Sequence, residues 1–310
     1  MNDHTTISLY RILKLFSTPK KARLFLERQR WGKSPVCPFC GHSHSVPRVG
    51  KREGFYRCNH CRKDFSVRTN SIFASSKVGL DKWLVAMYLM VTARKGISSL
   101  QLSKELDITQ RTAWFMEHRI RCAMSSGKYE GLLKGIVEID ETYVGGKEKN
   151  KHNSKKLHEG RGTVGKTPVV GIVERGGRVR SFVTGDTSKL TLQGLVGACV
   201  ERGAVVNTDE FSGYGNLEER GYVHNRVNHS AKLYVDGKAY TNGIESVWSL
   251  LKRGFYGTFH KFTLEHLQRY VDEFDFRWNE GNCRIQTEDR IQSLVEGCWG
   301  KRLSYETLVA

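Results

Sequence analysis

Apolar and polar positions change rhythm several times along the chain, and each rhythm predicts an element. In IVEIDETYV (136–144) the period is 2, which predicts a strand. Its parity puts Ile136, Glu138, Asp140 and Thr142 on one face, and Val137, Ile139, Glu141 and Tyr143 on the other. TPVVGIVERGG and RVRSFVTGD read as two further strands joined at a Gly176-Gly177 turn, with Asp186 as a turn residue. LTLQGLVGACVERG has helical spacing. GAVVNTDEFSGYGNL opens with a short apolar strand ending at Asp209, and after a polar stretch TNGIESVWSLLKRGFYGT returns to a helix. Farther on, Val271, Phe274 and Phe276 interleave with Asp272, Glu273 and Asp275, which predicts an amphipathic helix with the acids on its solvated face.

The first third reads differently. DKWLVAMYLMVTAR (81–94) has the pattern of a largely buried helix capped by Asp81. GISSLQLSKELDITQRTAWFMEHRIRCAM predicts two short helices about a turn at Asp107-Ile108-Thr109. Ser98 or Ser99 caps the first, with Leu100, Leu102 and Leu106 inward; Thr109 caps the second, with Ala113, Trp114 and Met116 near the core. Gln110, Arg111 and Thr112 then occupy the exposed start of the second helix, where a helix-turn-helix meets base edges; a plain helical hairpin is the competing reading.

Residues 37–61, CPFCGHSHSVPRVGKREGFYRCNHC, bring in chemistry. Cys37 and Cys40 form one CxxC pair, Cys58 and Cys61 another, and two such knuckles complete a closed tetrahedral zinc site without an open position. The zinc is therefore expected to be structural, with His42, His44 and His60 on the surface. VPRVGKREGFYRC predicts a hairpin turning near Gly50 or Gly54. Arg48, Lys51 and Arg52 with Phe55 suit phosphate contact, while Tyr56 and Phe65 read as a minicore. The other cysteines (Cys122, Cys199, Cys283, Cys298) are scattered and fit single thiols in a reducing compartment.

Charge sharpens the division. The 310 residues carry a formal net charge of +18. Residues 1–130 hold 24 Lys and Arg against 9 Asp and Glu, a net of +15, and the remainder is nearly balanced. A basic front on a balanced back suggests polyanion binding by the front. No targeting segment and no apolar run long enough to span a bilayer is evident, so a cytoplasmic, nucleoid-associated location is expected and a membrane partner is not.

Three strands, a helix, a strand ending in Asp209 and a later helix carrying Glu245 match the order of a ribonuclease H-like fold. There the first and fourth strands lie side by side, so Asp140 and Asp209 meet and Glu245 joins them. Two Mg²⁺ or Mn²⁺ ions need such a carboxylate set to clamp a phosphoryl displacement. Asp140 in VEIDETYVGG, Asp209 in VNTDEFSGY and Glu245 in NGIESVWSLLKRG resemble the DDE triad of bacterial insertion-sequence transposases, in the branch with an N-terminal zinc ribbon (ISXO-like). The resemblance runs from about residue 20 to 285. It implies a transposase that binds the element's terminal inverted repeats, cuts DNA with metal ions, transfers strands to target DNA and assembles as a dimer or larger. Lys252, two helical turns after Glu245, would hold DNA phosphate; Asn242 is a rival third ligand. Tyr214, His229 and His260 are plausible contacts by resemblance, while Glu138 reads as a buried polar residue, Glu141 as a surface salt bridge and Glu210 as facing away.

The chain is thus expected to be a multidomain protein of mixed class (α+β/α/β). Its parts are an N-terminal helical segment (1–30), the zinc ribbon (31–70), a helix-turn-helix segment (78–128), a ribonuclease H-like catalytic domain (132–285) and a C-terminal tail (286–310). Two rival functions are a ribonuclease H-like nuclease or resolvase without joining activity, and a zinc-ribbon/helix-turn-helix regulator.

Overall fold

The computed structural model of the chain describes residues 7–43, 45–47, 53–125, 131–146, 152–156, 163–227, 241–281 and 286–310. Arg48, Lys51, Arg52, His44, His229, Cys283 and much of the lysine-rich stretch after Gly146 lie outside the described residues. In chain order come α1 (Leu9–Leu15), α2 (Pro19–Trp31), β1 (Ser45–Pro47), β2 (Phe55–Cys58), β3 (Asp64–Ser66), α3 (Leu80–Thr92), α4 (Ser99–Leu106) and α5 (Gln110–Met124). There follow β4 (Ile136–Val144), β5 (Thr167–Glu174), β6 (Val179–Val183), α6 (Lys189–Cys199), β7 (Val205–Thr208), β8 (Val223–Arg226), α7 (Asn242–Gly254), α8 (Leu264–Asn279), α9 (Thr287–Glu296) and α10 (Tyr305–Val309). They form two compact units, residues 1–126 with 280–310, and residues 127–279.

The first unit is built around α3, whose Trp83, Leu84, Met87 and Met90 are at most 1% exposed. The helix begins at Leu80 after Gly79, so Asp81 lies within the first turn and no side chain caps it. Ser98 and Thr109 do cap α4 and α5, accepting from the N–H groups of Gln101 and Thr112. Between those helices Asp107 takes a left-handed φ of 49°, which a short polar side chain tolerates. Leu102 and Leu106 are buried, but Leu100 is 51% exposed because two residues turn it to the opposite side of α4 from Leu102. The ribbon hairpin gains a third antiparallel strand, in the order β1-β2-β3. Trp31 at the end of α2 stands edge-on to Tyr56 and Phe65 at 5.5 and 5.6 Å, so the ribbon's minicore continues into the helix. Residues 286–310, expected as a tail, belong to this unit instead: α9 buries Ile291, Leu294 and Val295, and Ile72 N–H donates to the Cys298 carbonyl at 3.0 Å.

The second unit is a five-stranded sheet in the order β6-β5-β4-β7-β8. β6, β5 and β4 pair antiparallel, β4, β7 and β8 parallel. β8 falls in the stretch that reads only as polar, because three of its four residues are polar, none is fully buried and the strand lies at the sheet edge. The parity of β4 sorts two cores. Val137 and Ile139 join Val206 and α6's Leu192 and Val196 on one side; Val144 joins Val169, Val173 and α7's Ile244, Val247 and Trp248 on the other. α8 lies along β6, and its acids are not a solvated face. Asp275 accepts from Ser181 N–H and Oγ–H at 2.6 and 2.7 Å, and Gln268 and Asn279 bond the backbone of Ser181, Val183 and Val179. Polar side chains of a helix thereby satisfy the free edge of a sheet, which would otherwise be open to another strand. Glu273 is fully buried and paired with Arg277 one turn on.

Candidate active site and zinc centre

Two groups of potential metal ligands emerge, one in each unit. In the first, the ligand atoms of Cys37, Cys40, Cys58 and Cys61 lie within 4.8 Å of one another, the one such group among the described residues. Cys37–Cys61 and Cys40–Cys58 sulfurs are 3.6 Å apart, close to the ~3.8 Å edge of a tetrahedron with Zn–S bonds of ~2.3 Å. Burial alone would raise the Cys58 thiol, but N–H donors of Cys61 and His60 prevail and bring it down to about 6. Cys61 N–H reaches Cys58 Sγ at 3.4 Å. Against a backbone bond from His42, burial and shared bonds with the other three sulfurs push the Cys40 thiol up to about 12, so the four sulfurs hold protons unequally until an ion joins them, and their tetrahedral spacing fits structural zinc. His42 and His60 stack on each other beside the knuckles, ring centroids 5.2 Å apart, and are not needed as ligands.

In the second unit, Asp140 is the middle residue of β4, two residues beyond the Glu138↔Asn207 pairing where β7 ends its contact with the strand; Asp209 follows β7 immediately. Glu245 is in the first turn of α7. Burial foremost, with the charges of Asp209 and Glu245, raises the Asp140 carboxyl to about 6, against hydrogen bonds from the Glu141 backbone and Trp248. The three acids are thus electrostatic neighbours without being a closed ligand cluster. Asp209 Oδ1 accepts from Phe211 N–H at 3.0 Å, which aims the chain after β7. Lys252 shares α7 with Glu245, and both are exposed; Asn242 is exposed as well.

Several residues that build this site carried no signal of their role in the sequence. Trp248 Nε1–H donates to Asp140 Oδ2 at 2.9 Å. That approach depends on Gly171, opposite Asp140 on β5: a Cβ there would stand 2.5 Å from the Trp248 ring. Glu138, 1% exposed, takes hydrogen bonds at Oε2 from the N–H groups of Gly243 and Ile244 (2.7 and 3.1 Å) and at Oε1 from the Arg175 guanidinium (3.1 Å). α7 has no side-chain cap of its own, so this strand carboxylate stands in for one and ties the helix carrying Glu245 to β4. Gly243 leaves the room, since a Cβ would meet Glu138 Oε2 at 2.7 Å. The available hint was an acid in an otherwise apolar run on the Asp140 face, which burial obliges to find donors.

Glu141 does face away from Glu138, but it is not a surface salt bridge. It accepts from the hydroxyl of fully buried Tyr214. Burial pushes it up to about 7, with Tyr214's bond opposing and Asp140 and Asp209 adding. Tyr214 is therefore a packed residue holding a fourth acid beside the site. Glu210 is exposed, and exposed His260 takes a left-handed φ of 59° after a wide helical turn at Phe255–Phe259. Asp186 is a turn residue, accepting from Ser188 N–H before α6. At the start of α5, Gln110 is exposed, Arg111 Nε–H donates to Tyr305 Oη at 3.0 Å, and Thr112 shares a hydroxyl bond with Thr109.

Known proteins share these features. The ISXO2-like transposase domain matches residues 132–279, and the transposase zinc-ribbon domain matches residues 17–64. A protein in the transposable element ISH50 of Halobacterium salinarum is 30% identical over 253 residues, covering 78% of this chain and 84% of its own length. A transposase-like protein of Haemophilus influenzae is 28% identical over 120 residues, 39% of this chain and 95% of its own. Among solved structures, the Mos1 strand transfer complex aligns over 71% of this chain and 79% of that one (13% identity, TM-score 0.30). The pre-cleavage Mos1 transpososome aligns over 96% of each (12%, 0.27). Those two likenesses are too slight to argue from. The two domain matches and the relative spanning most of both chains identify this chain as a member of the ISXO2-like transposase family, a DNA transposase with an N-terminal zinc ribbon.

Proposed function

We infer that this transposase cuts and joins DNA at the carboxylates Asp140, Asp209 and Glu245. The observation that carries the reading is the convergence at Asp140: a half-buried carboxyl just past the end of the β4–β7 pairing, bonded by Trp248 and raised to about 6 by burial and by the charges of Asp209 and Glu245. Three hard oxygen donors whose charges repel suit Mg²⁺ or Mn²⁺, which those three residues would hold. Such ions, when bound, supply activation of water or a 3′-OH and neutralise charge on the phosphoryl oxygens. The protein's own groups set the geometry. Trp248 turns Asp140, Glu138 clamps α7, and Lys252 offers a cation to DNA phosphate from the exposed side of the helix. The order β6-β5-β4-β7-β8, three antiparallel strands followed by two parallel ones, supports a ribonuclease H-like reading.

The first unit binds the terminal inverted repeats in this reading, with α4 and α5 as a helix-turn-helix that presents Gln110, Arg111 and Thr112. The capped, αL-linked helices and the net charge of +15 over residues 1–130 support it. Joining two element ends to target DNA calls for a dimer or larger assembly. In the test, Asp140→Asn binds a duplex carrying the element end as the wild type does. It loses Mg²⁺-dependent cleavage and strand transfer by about 10³-fold or more. A mutant that still cuts at the wild-type rate refutes the site.

A further inference from the structure

A second basic feature of the first unit is absorbed by none of the roles above. A cavity of about 620 Å³ opens beside the start of α5. Its walls are the chain at 75–79, the first turn of α3, residues 108–119 and Tyr305 of α10. Lys77, Lys82, Arg111 and Arg119 line it, and no Asp or Glu does. Phe115 and Tyr305, 5.5 Å apart and edge to face, form its apolar side.

Arg119 is the unusual member. It is 3% exposed, yet no carboxylate pairs with it among the described residues. Its NH2 donates to the Ala74 carbonyl, its plane lies over the Trp83 and Phe115 rings at 5.4 and 5.1 Å, and Nε has no partner. Arg68 and Arg302 add like charge. A buried guanidinium without a counter-ion is costly unless an anion completes it. The adjoining α5, 15 residues long, adds the positive end of its dipole. An inorganic phosphate would fill little of 620 Å³, whereas a phosphodiester with its sugar uses both the cations and the aromatic wall.

We propose that this cavity is a phosphodiester-binding site that seats the DNA backbone next to α5, with Arg119 and Lys77 as the phosphate partners. It rests on the reading of α5 as a DNA-binding helix and adds an anchor that fixes the helix's register on the duplex without reading bases.

The test uses the full chain and a fluorescent duplex carrying the element end, titrated by anisotropy over a range of KCl concentrations. Lys77→Gln, at an exposed position, weakens binding roughly three- to tenfold and lowers the salt slope by about one, equally on random duplex. Arg119→Met does the same; an unchanged unfolding temperature for Lys77→Gln separates this from misfolding. Gln110→Ala instead reduces discrimination between end and random DNA. Wild-type affinity and slope in both cavity variants, with Gln110→Ala altered, overturns the cavity and leaves α5 as a DNA reader. No change in any of the three overturns both readings. Thermal stabilisation by a mononucleotide that Lys77→Gln abolishes, with duplex binding intact, makes the occupant a free nucleotide and overturns the DNA assignment.

Discussion

The two candidate metal sites of this chain are opposites in construction. The four-cysteine site is local: its ligands span 25 residues, come in two knuckles, and already stand at metal-binding distance. The carboxylate site is assembled from a strand, the residue after a parallel neighbour, and a helix, with partners 69 and 105 residues downstream of Asp140. In the first, backbone donors bring the Cys58 thiol down while burial and the neighbouring sulfurs push Cys40 up; in the second, burial and like charge both raise Asp140. The difference teaches that a closed four-sulfur site can be written into a short motif, while an open group of carboxylates depends on a scaffold that holds repelling groups together. That scaffold is Glu138, Trp248 and Gly171, none of them one of the three acids.

The strongest way to break the comparison is to remove a ligand from the local site. Structural zinc in such modules carries ~10 kcal/mol of folding free energy, so Cys37→Ser should unfold the ribbon outright. Bound zinc falls from one equivalent to none by elemental analysis, proteolysis opens the segment between the knuckles, and end-DNA binding drops. The sheet unit keeps its hydrogen-exchange protection. Loss of protection in β4 and β5 as well would mean the sites are not independent.

Next in size is the clamp. Glu138→Ala leaves Arg175 and two N–H groups at the start of α7 without their acceptor, a loss of about 3–5 kcal/mol for a broken buried pair. Glu138→Gln keeps an oxygen for the N–H groups and should lose less. Urea unfolding gives the stabilities. Cleavage should fall at least tenfold in Glu138→Ala at concentrations where DNA binding is unaffected. Wild-type cleavage in that variant would remove Glu138 from the positioning of α7.

The contrast also explains what was legible in the sequence. CxxC spacing is self-contained, so the zinc site could be read directly, and period-2 parity sorted Glu138 and Asp140 from Glu141. Parity could not say what each face would meet. Glu138 meets a helix end 105 residues away, and Glu141 meets Tyr214. The acids of α8 were misread for the same reason: an amphipathic pattern marks polar positions, but here a sheet edge and Arg277 wait on the polar side. Asp81 is not the cap because the N-cap falls two residues earlier, at Gly79, and Leu100 is not inward because it lies two positions around α4 from Leu102. Residues 286–310 read as a tail because a short chain of weak helices does not announce that it closes the core of a unit far upstream in the chain.

The smallest effect sharpens the comparison through pH. Burial raises the Asp275 carboxyl to about 7, Asp272 adds to this, and bonds from Ser181 and the Arg180 charge oppose it. The folded value lies above the ordinary carboxylate value, so between about pH 4 and 7 the native state keeps a proton that the unfolded chain releases. Asp275's contribution is therefore full below about pH 4 and is lost as pH rises through 7, on the order of 2 kcal/mol for this partly exposed group. Hydrogen exchange at Val179 and Ser181 should quicken at pH 8 beyond the intrinsic base-catalysed rate, and Asp275→Asn should abolish that excess. The ribbon should respond in the opposite sense, losing zinc as acid protonates its thiolates. An excess that persists in Asp275→Asn would remove the carboxyl from the account, while a ribbon equally stable at pH 5 and 8 would undo the opposition between the ribbon and the edge of the sheet.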